Sequence, residues 1–347
     1  MIETIFTFLM FIPLMLLFLL INLSEKDRTL ENPSGGKALG WVSYGLLIFG
    51  FGIVMLIGFI YLMLSLMMDS VPADTRQEMF TSMGLSDFNT LSMGLAFLIP
   101  AIIGLILLIP AVRRGISRLI PINPHNRLHA ISLSLSVLVI IQLWMTLAIG
   151  LENMSATTQQ MSSTSTITTI WVQDLSLFFI GLLGVGLFTR RSAKETFKRL
   201  GIVRPTLKQV GFGIGIAIVF IGIVMGMEQL AMQLGFGIDE DVNELTDKLI
   251  GPLVTTIPGV LTLGLAAAIG EETIFRGAMQ PKFGLILTSV LFAITHANYG
   301  FSLSTLIVLL IGLALGIIRN RTNTSTSMVV HATYNMGLGF LSYFQIM

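Results

Sequence analysis

The chain has no cysteine, so disulfides, cysteine nucleophiles and thiolate metal sites are all excluded, and any metal would rest on histidine and carboxylate ligands. Charge is nearly as scarce. Asp, Glu, Lys and Arg make up 11% of the 347 residues, where a soluble domain carries about 25%. The net charge of +1 leaves no electrostatic case for nucleic acid. No internal repeat is evident, which weakens the reading as an inverted-repeat transporter. What is abundant is apolar: 54% of the residues are hydrophobic and the mean hydropathy is +0.85. That composition describes a polytopic membrane protein.

A membrane span needs about 20 apolar residues. Ten segments qualify, at roughly 4–23, 41–68, 91–112, 129–151, 169–189, 209–235, 251–271, 284–298, 303–318 and 327–345. The expected fold is therefore an all-α polytopic transmembrane helix bundle of about ten membrane segments. The segment 284–298 is short, covering about 22 Å against a hydrocarbon core of about 30 Å. The first segment lacks a basic n-region and a small-residue cleavage site, and is read as a retained span. Eighteen of the twenty Lys and Arg residues fall in alternate loops, with only Arg76 and Lys248 on the other side. The positive-inside rule then places both termini outside a bacterial cytoplasmic membrane. The basic stretch 190–208 divides the chain into an accessory region, 1–205, and a functional bundle, 206–347, which holds the membrane-depth polar residues of interest.

Within that bundle, Glu271-Glu272-Thr273-Ile274-Phe275-Arg276 follows an uncharged run from Gly251 to Gly270. Each charge in lipid-facing sequence costs roughly 2.5–3.5 kcal/mol on insertion scales, so three together must pair, face a wet cavity or do chemistry. Neighbouring residues on a helix point about 100° apart, which sends the two carboxylates in different directions. Arg276 lies one turn beyond Glu272 in the favourable acid-before-base order. It can neutralise and orient Glu272, leaving Glu271 freer to act as base or ligand. A buried salt bridge that only locks helices accounts equally well for Glu272 and Arg276, but less well for Glu271. His296 closes Phe292-Ala-Ile-Thr-His296, and His331 shares a helix face with Asn335. Taken singly, these are packing histidines and an interhelical polar clasp. Taken together, carboxylate, two imidazoles and a carboxamide are the parts needed to activate a water and stabilise an oxyanion. They also match a His₂Glu metal set of Glu271, His296 and His331 with an open position. The HExxH helix of soluble zinc proteases is absent.

The ordered set Glu271-Glu272-x-x-x-Arg276, Phe292-x-x-x-His296 and His331-x-x-x-Asn335 resembles the three motifs of the CPBP family, with Gly277 and Gly312-Leu-Ala-Leu-Gly316 as fitting flanks. That family comprises the type II CAAX prenyl endopeptidases and bacterial bacteriocin-processing or immunity proteins. The resemblance covers about 206–347. It implies a membrane-embedded endopeptidase acting on a membrane-tethered peptide or protein. Glu271 and His296 would activate the attacking water, His331 and Asn335 would stabilise the oxyanion, and Glu272 and Arg276 would support the site. The family is described as both glutamate-dependent and metallo-dependent. A glutamate-activated water without cofactor is the expectation, with zinc the alternative. A catalytically silent immunity or scaffold protein and a proton-coupled transporter are the other two readings.

Overall fold

In a computed structural model, residues 2–28, 32, 34–82, 88–235 and 239–345 are described, and the regular structure among them is helical throughout. The chain begins with α1 (Ile2–Lys26) and α2 (Lys37–Asp69), then a short polar α3 (Ala73–Ser82). Asn89 caps α4 (Thr90–Ile106) by accepting from Ser92 N–H. The chain then bends by 92° into α5 (Pro110–Ile116). Pro110 opens α5 because the first turn of a helix needs no donor from it. One span is formed by α6 (Arg127–Ser136) and α7 (Val139–Ile149) together, and Gly150 and a short α8 (Leu151–Thr157) follow.

Next come α9 (Ser163–Gly184), the amphipathic α10 (Ala193–Leu200) and the long α11 (Leu207–Gln233). Both α10 and α11 start in capping boxes, Ser192 with Glu195 and Thr206 with Gln209. The acidic α12 (Glu240–Leu249) and the single turn α13 (Gly251–Val254) lead into α14 (Ile257–Glu272). A π-helical segment, Thr273–Met279, joins α14 to α15 (Gln280–Ile294). After a 3₁₀ turn at Ala297–Tyr299, α16 (Leu303–Arg321) and α17 (Thr324–Tyr343) complete the bundle.

Among the described residues, seven helices are long and apolar enough to cross a membrane, or eight if the bent α4–α5 pair counts as one span. The all-α bundle is as expected, with a count slightly below the ten segments read from the sequence, for two reasons. Segments 251–271 and 284–298 fall within one helical stretch, 257–294, and so enter the count as one although a kink divides it. Its 38 residues would reach about 57 Å if straight. It is not straight, because Gly284 sits at φ +77°, ψ 171° inside it. The Arg276 guanidinium lies 4.0 Å over the Phe292 ring, where sixteen residues of straight helix would separate them by about 24 Å. The chain therefore folds back at Gly284. Secondly, α17 falls below the apolarity of a span because Ser, Thr, His331 and Asn335 fill its buried face.

Two packing groups matter for the site. One joins α4–α5 and α6 to the reversed hairpin through Leu107, Ile122, Leu133, Phe275, Phe283 and Phe292. In the other, α14 is held between α9 and α17, and α17 in turn packs on α11. The outward faces carry Phe49, Leu56, Ile60 and Leu66 of α2 and Ile218 of α11 exposed, as lipid-facing surface must be.

Candidate functional site

The C-terminal end of α14 carries Glu271 and Glu272, and their environments differ. Glu272 is fully buried. Its Oε1 lies 3.1 Å from Arg276 Nη1 and 3.0 Å from His331 Nδ1. Arg276 is itself 1% exposed, stacks 4.0 Å over Phe292 and donates through Nη2 to Gly312 O at 3.3 Å. The guanidinium is thus held by a carboxylate, an aromatic face and a backbone carbonyl. Glu271 has no such partner set. Its side chain is 19% exposed, and Oε2 faces His331 Nε2 at 3.9 Å. Glu271 Oε2 and Glu272 Oε2 are both buried without a hydrogen-bond partner. The helical hydrogen bonding widens to the π pattern one residue after the pair, a local distortion frequent at functional sites.

His331 reaches the two glutamates because α17 lies unusually close to α14. A Cβ at Gly264 would stand 2.4 Å from Met336 Cγ and 2.6 Å from Ala332 O, so only glycine permits this approach. The ring turns Nδ1 to Glu272, which accepts when that nitrogen carries a proton, and Nε2 towards Glu271. One turn on, Asn335 Nδ2 donates to Leu263 O at 3.2 Å, which ties α17 to α14 again. His296 lies just past the end of α15, with Nδ1 3.0 Å from Phe292 O and its ring 6.1 Å from that of Tyr299. Phe292 stands beside both histidines, with ring centroids 4.9 Å from His296 and 6.1 Å from His331.

The structure therefore brings Glu271, Glu272, Arg276 and His331 into one cluster. His296 packs against Phe292, which also flanks His331, and Asn335 stands one turn along α17.

A further acid joins the cluster from outside this bundle. Asp174 of α9 is 3% exposed, and its Oδ1 has no hydrogen-bond partner. A Cβ at Gly270 would lie 2.5 Å from both Asp174 Oδ1 and Asp174 O, so α9 touches α14 at the residue before Glu271. Asp174 and Glu271 lie within coulombic reach of each other. From sequence, Asp174 ranks low as a residue near the outer end of the fifth span. The signal that marks it is the one that marks Glu271: it is the only acid between Glu152 and Glu195, and it sits in apolar sequence.

The donor set fits a metal only in part. His331 has the arrangement of a metal-binding histidine, one nitrogen on a carboxylate and the other free. Among the described residues, however, no three His, Asp or Glu side chains converge as a metal set. His296 turns Nδ1 back onto its own helix. Glu271, His296 and His331 are therefore not arranged as a zinc site.

Residues 253–337 match the family model described as type II CAAX prenyl endopeptidase Rce1-like. No curated protein and no solved structure matches the chain. The matched stretch holds all six of Glu271, Glu272, Arg276, His296, His331 and Asn335, and leaves out α9 with Asp174. The chain is an integral membrane protein, and over that stretch it is similar to a family of endopeptidases.

Proposed function

We propose that the chain is an intramembrane endopeptidase that hydrolyses a peptide bond of a membrane-associated substrate with a water activated by Glu271. The observation that supports this best is the division between the adjacent glutamates. Glu272 is tied to Arg276 and His331 through one oxygen, while Glu271 keeps a buried, unpartnered oxygen facing His331 Nε2. A carboxylate whose oxygen is not already spent is what a general base requires.

In this reading Glu271 takes a proton as the water oxygen attacks the carbonyl carbon, and returns it to the leaving amide nitrogen as the C–N bond breaks. Glu272 fixes the orientation of the His331 ring, as the third member of a triad does, and stabilises positive charge on it when Nε2 carries a proton. A protonated Nε2 then donates towards the developing oxyanion. Asn335 spends one amide N–H on Leu263 O and has a second for the same purpose. His296 completes the water-activating pair by a swing of its ring away from Phe292 O. A cavity of about 450 Å³ borders the region behind His296, lined by Leu143, Ala293, Ala297, Thr305 and Leu309. Its apolar lining suits an apolar stretch of chain entering from lipid. The substrate is thus a membrane-tethered peptide or protein, and the active site lies nearer the cytoplasmic face.

The test compares purified wild type with Glu271→Gln and Glu271→Ala on a panel of membrane-tethered peptides. Loss of a general base costs about 10²–10⁴-fold in rate, so cleavage by both variants should fall at least that far while thermal unfolding in detergent stays near that of wild type. Equal cleavage by all three sinks the assignment. A chelator arm separates the mechanisms: inhibition reversed by zinc would replace the glutamate-activated water by a metal-activated one.

A further inference from the structure

We propose that the turn joining α9 to α10 is a binding site for the phosphate of an anionic phospholipid headgroup. This reading is independent of the proteolytic one, because it uses none of its residues.

The turn is built tightly. Gly186, at φ +105°, ends the helical course of α9, and its carbonyl accepts from both Arg190 N–H and Arg191 N–H at 3.0 Å. A Cβ at Gly186 would meet Arg190 Cβ, Arg190 Nε and Arg191 Nη1 at 3.3 Å each. Both arginine side chains therefore crowd over one glycine. The segment Leu187–Ala193 lines an open depression of about 360 Å³, with Thr189, Arg190, Arg191 and Ser192 as its polar lining.

The charge there is compensated only at a distance, by Glu25 near Arg190 and Glu195 near Arg191. Arg199 of α10 lies within coulombic reach of Arg190, Arg191 and Arg319. None of these four arginines forms an ion pair with an acid among the described residues. The two nearest acids are engaged elsewhere: Glu195 accepts from Ser192 N–H and Oγ–H, and Glu25 pairs with Arg28 and Arg127. Arg190 Nε and Arg319 Nε are buried without any hydrogen-bond partner. Burial, and then the charge of neighbouring arginines, hold both Arg190 and Arg199 below the usual guanidinium range. Four neighbouring cations, two of them with an idle buried N–H, suit an anion, and guanidinium groups match phosphate oxygens through paired N–H donors.

The same turn identifies the source of the phosphate. Phe188 adopts φ +64°, a costly conformation for a bulky residue, and its ring is 80% exposed. Leu207, just beyond α10, is 90% exposed. Apolar side chains presented beside a basic cluster at a span's end belong at the bilayer interface. A headgroup phosphate sits at that depth, whereas a free phosphate would leave Phe188 in water.

Arg190 is the residue to vary, since its side chain makes no internal hydrogen bond to lose, whereas Arg191 donates through Nη1 to Val185 O. The full chain is placed in nanodiscs of phosphatidylcholine with and without phosphatidylglycerol, and bound lipid is read by native mass spectrometry. Losing a hydrogen bond to a charged group costs roughly 10–100-fold in affinity. Arg190→Gln should therefore weaken phosphatidylglycerol retention by at least that lower bound, and Arg190→Lys, which keeps the charge but not the paired donors, should restore part of it. The control removes two exposed charges outside the depression, Lys194→Gln with Lys198→Gln, and should retain lipid as wild type does. Equal loss in that control would show diffuse surface charge and overturn the site. Displacement of the lipid by inorganic phosphate at matching concentration would overturn the headgroup as its ligand. If Arg190→Gln fails to fold in phosphatidylcholine but Arg190→Lys folds and binds no lipid, the proposal also falls.

Discussion

The helix pair α2–α4 and the group α9–α14–α17 use the same device to come close, and bury different things with it. Between α2 and α4, a Cβ at Gly58 would stand 2.9 Å from Gly94 O, and one at Gly104 would stand 2.4 Å from Phe51 Cζ. Small residues let helix backbones approach in lipid, where no hydrophobic force drives association. The contact there is purely apolar. Around α14, Gly264 and Gly270 allow an equally close approach, but the neighbours are the helix of His331 and the carboxylate of Asp174. Close packing in the first region gives dispersion contacts alone. In the second it removes water from Glu272, Arg276, His331 and Asp174, all 5% exposed or less. Tight packing is thus common to both regions, and the ionisable groups it dries set the candidate site apart.

Breaking the charged side of that comparison should have the largest effect. Removing one partner of a buried ion pair costs about 3–5 kcal/mol. Arg276→Met should therefore lower unfolding stability in detergent by that amount, since it leaves Glu272 with only His331 as partner and the Gly312 carbonyl without its donor in a dry site. Adding Glu272→Gln should recover part of the loss, because the amide oxygen can still accept from His331 Nδ1–H without carrying charge. Calorimetric or denaturant unfolding of the single and double variants decides this. No recovery in the double would mean that Arg276 acts by packing on Phe292 and not by neutralising Glu272.

The next effect is expected where packing and charge meet. Gly270→Ala places a methyl 2.5 Å from Asp174 O and Oδ1, and a backbone oxygen cannot rotate away. Overpacking of this kind costs about 1–3 kcal/mol. Glu271 is the next residue, so cleavage should fall well beyond what the stability loss explains. Asp174→Ala, added to Gly270→Ala, removes one of the two clashes and should return stability more than activity. Activity restored in full by the double would show that Asp174 has no part in setting the position of Glu271.

The helical bundle was legible because each span is written in a contiguous apolar run. The reversal at Gly284 was not, because it depends on one glycine's positive φ, which hydropathy does not mark. The only hint was that 284–298 is too short to span. In the site, the Glu272–Arg276 contact follows from local spacing, one turn of helix, and could be read from six residues. The approach of His331 to Glu272 could not, since it joins residues 59 apart and depends on what faces Gly264. Asp174 was obscured for the same reason. Its position along α9 suggested an outer-end residue, and only the crossing at Gly270 sets it beside Glu271.

The smallest effect tests the apolar side of the comparison. Gly58→Ala would bring a Cβ to 2.7 Å from Leu98 Cγ and 2.9 Å from Gly94 O. The nearest of these atoms belongs to a side chain that can change rotamer, and the backbone oxygen of Gly94, at 2.9 Å, intrudes less than the Asp174 carbonyl does at 2.5 Å from Gly270. Alanine also gains up to about 1 kcal/mol over glycine in a helix interior, which offsets part of an overpacking cost of about 1–3 kcal/mol. The net change should be about 1 kcal/mol of stability, with cleavage per folded molecule unchanged, because α2–α4 buries no ionisable group near the site. Measuring specific activity alongside unfolding separates the two regions directly. If Gly58→Ala lowers cleavage as Gly270→Ala does, the two packing regions are coupled, and drying of the carboxylates depends on the whole bundle instead of on α9, α14 and α17.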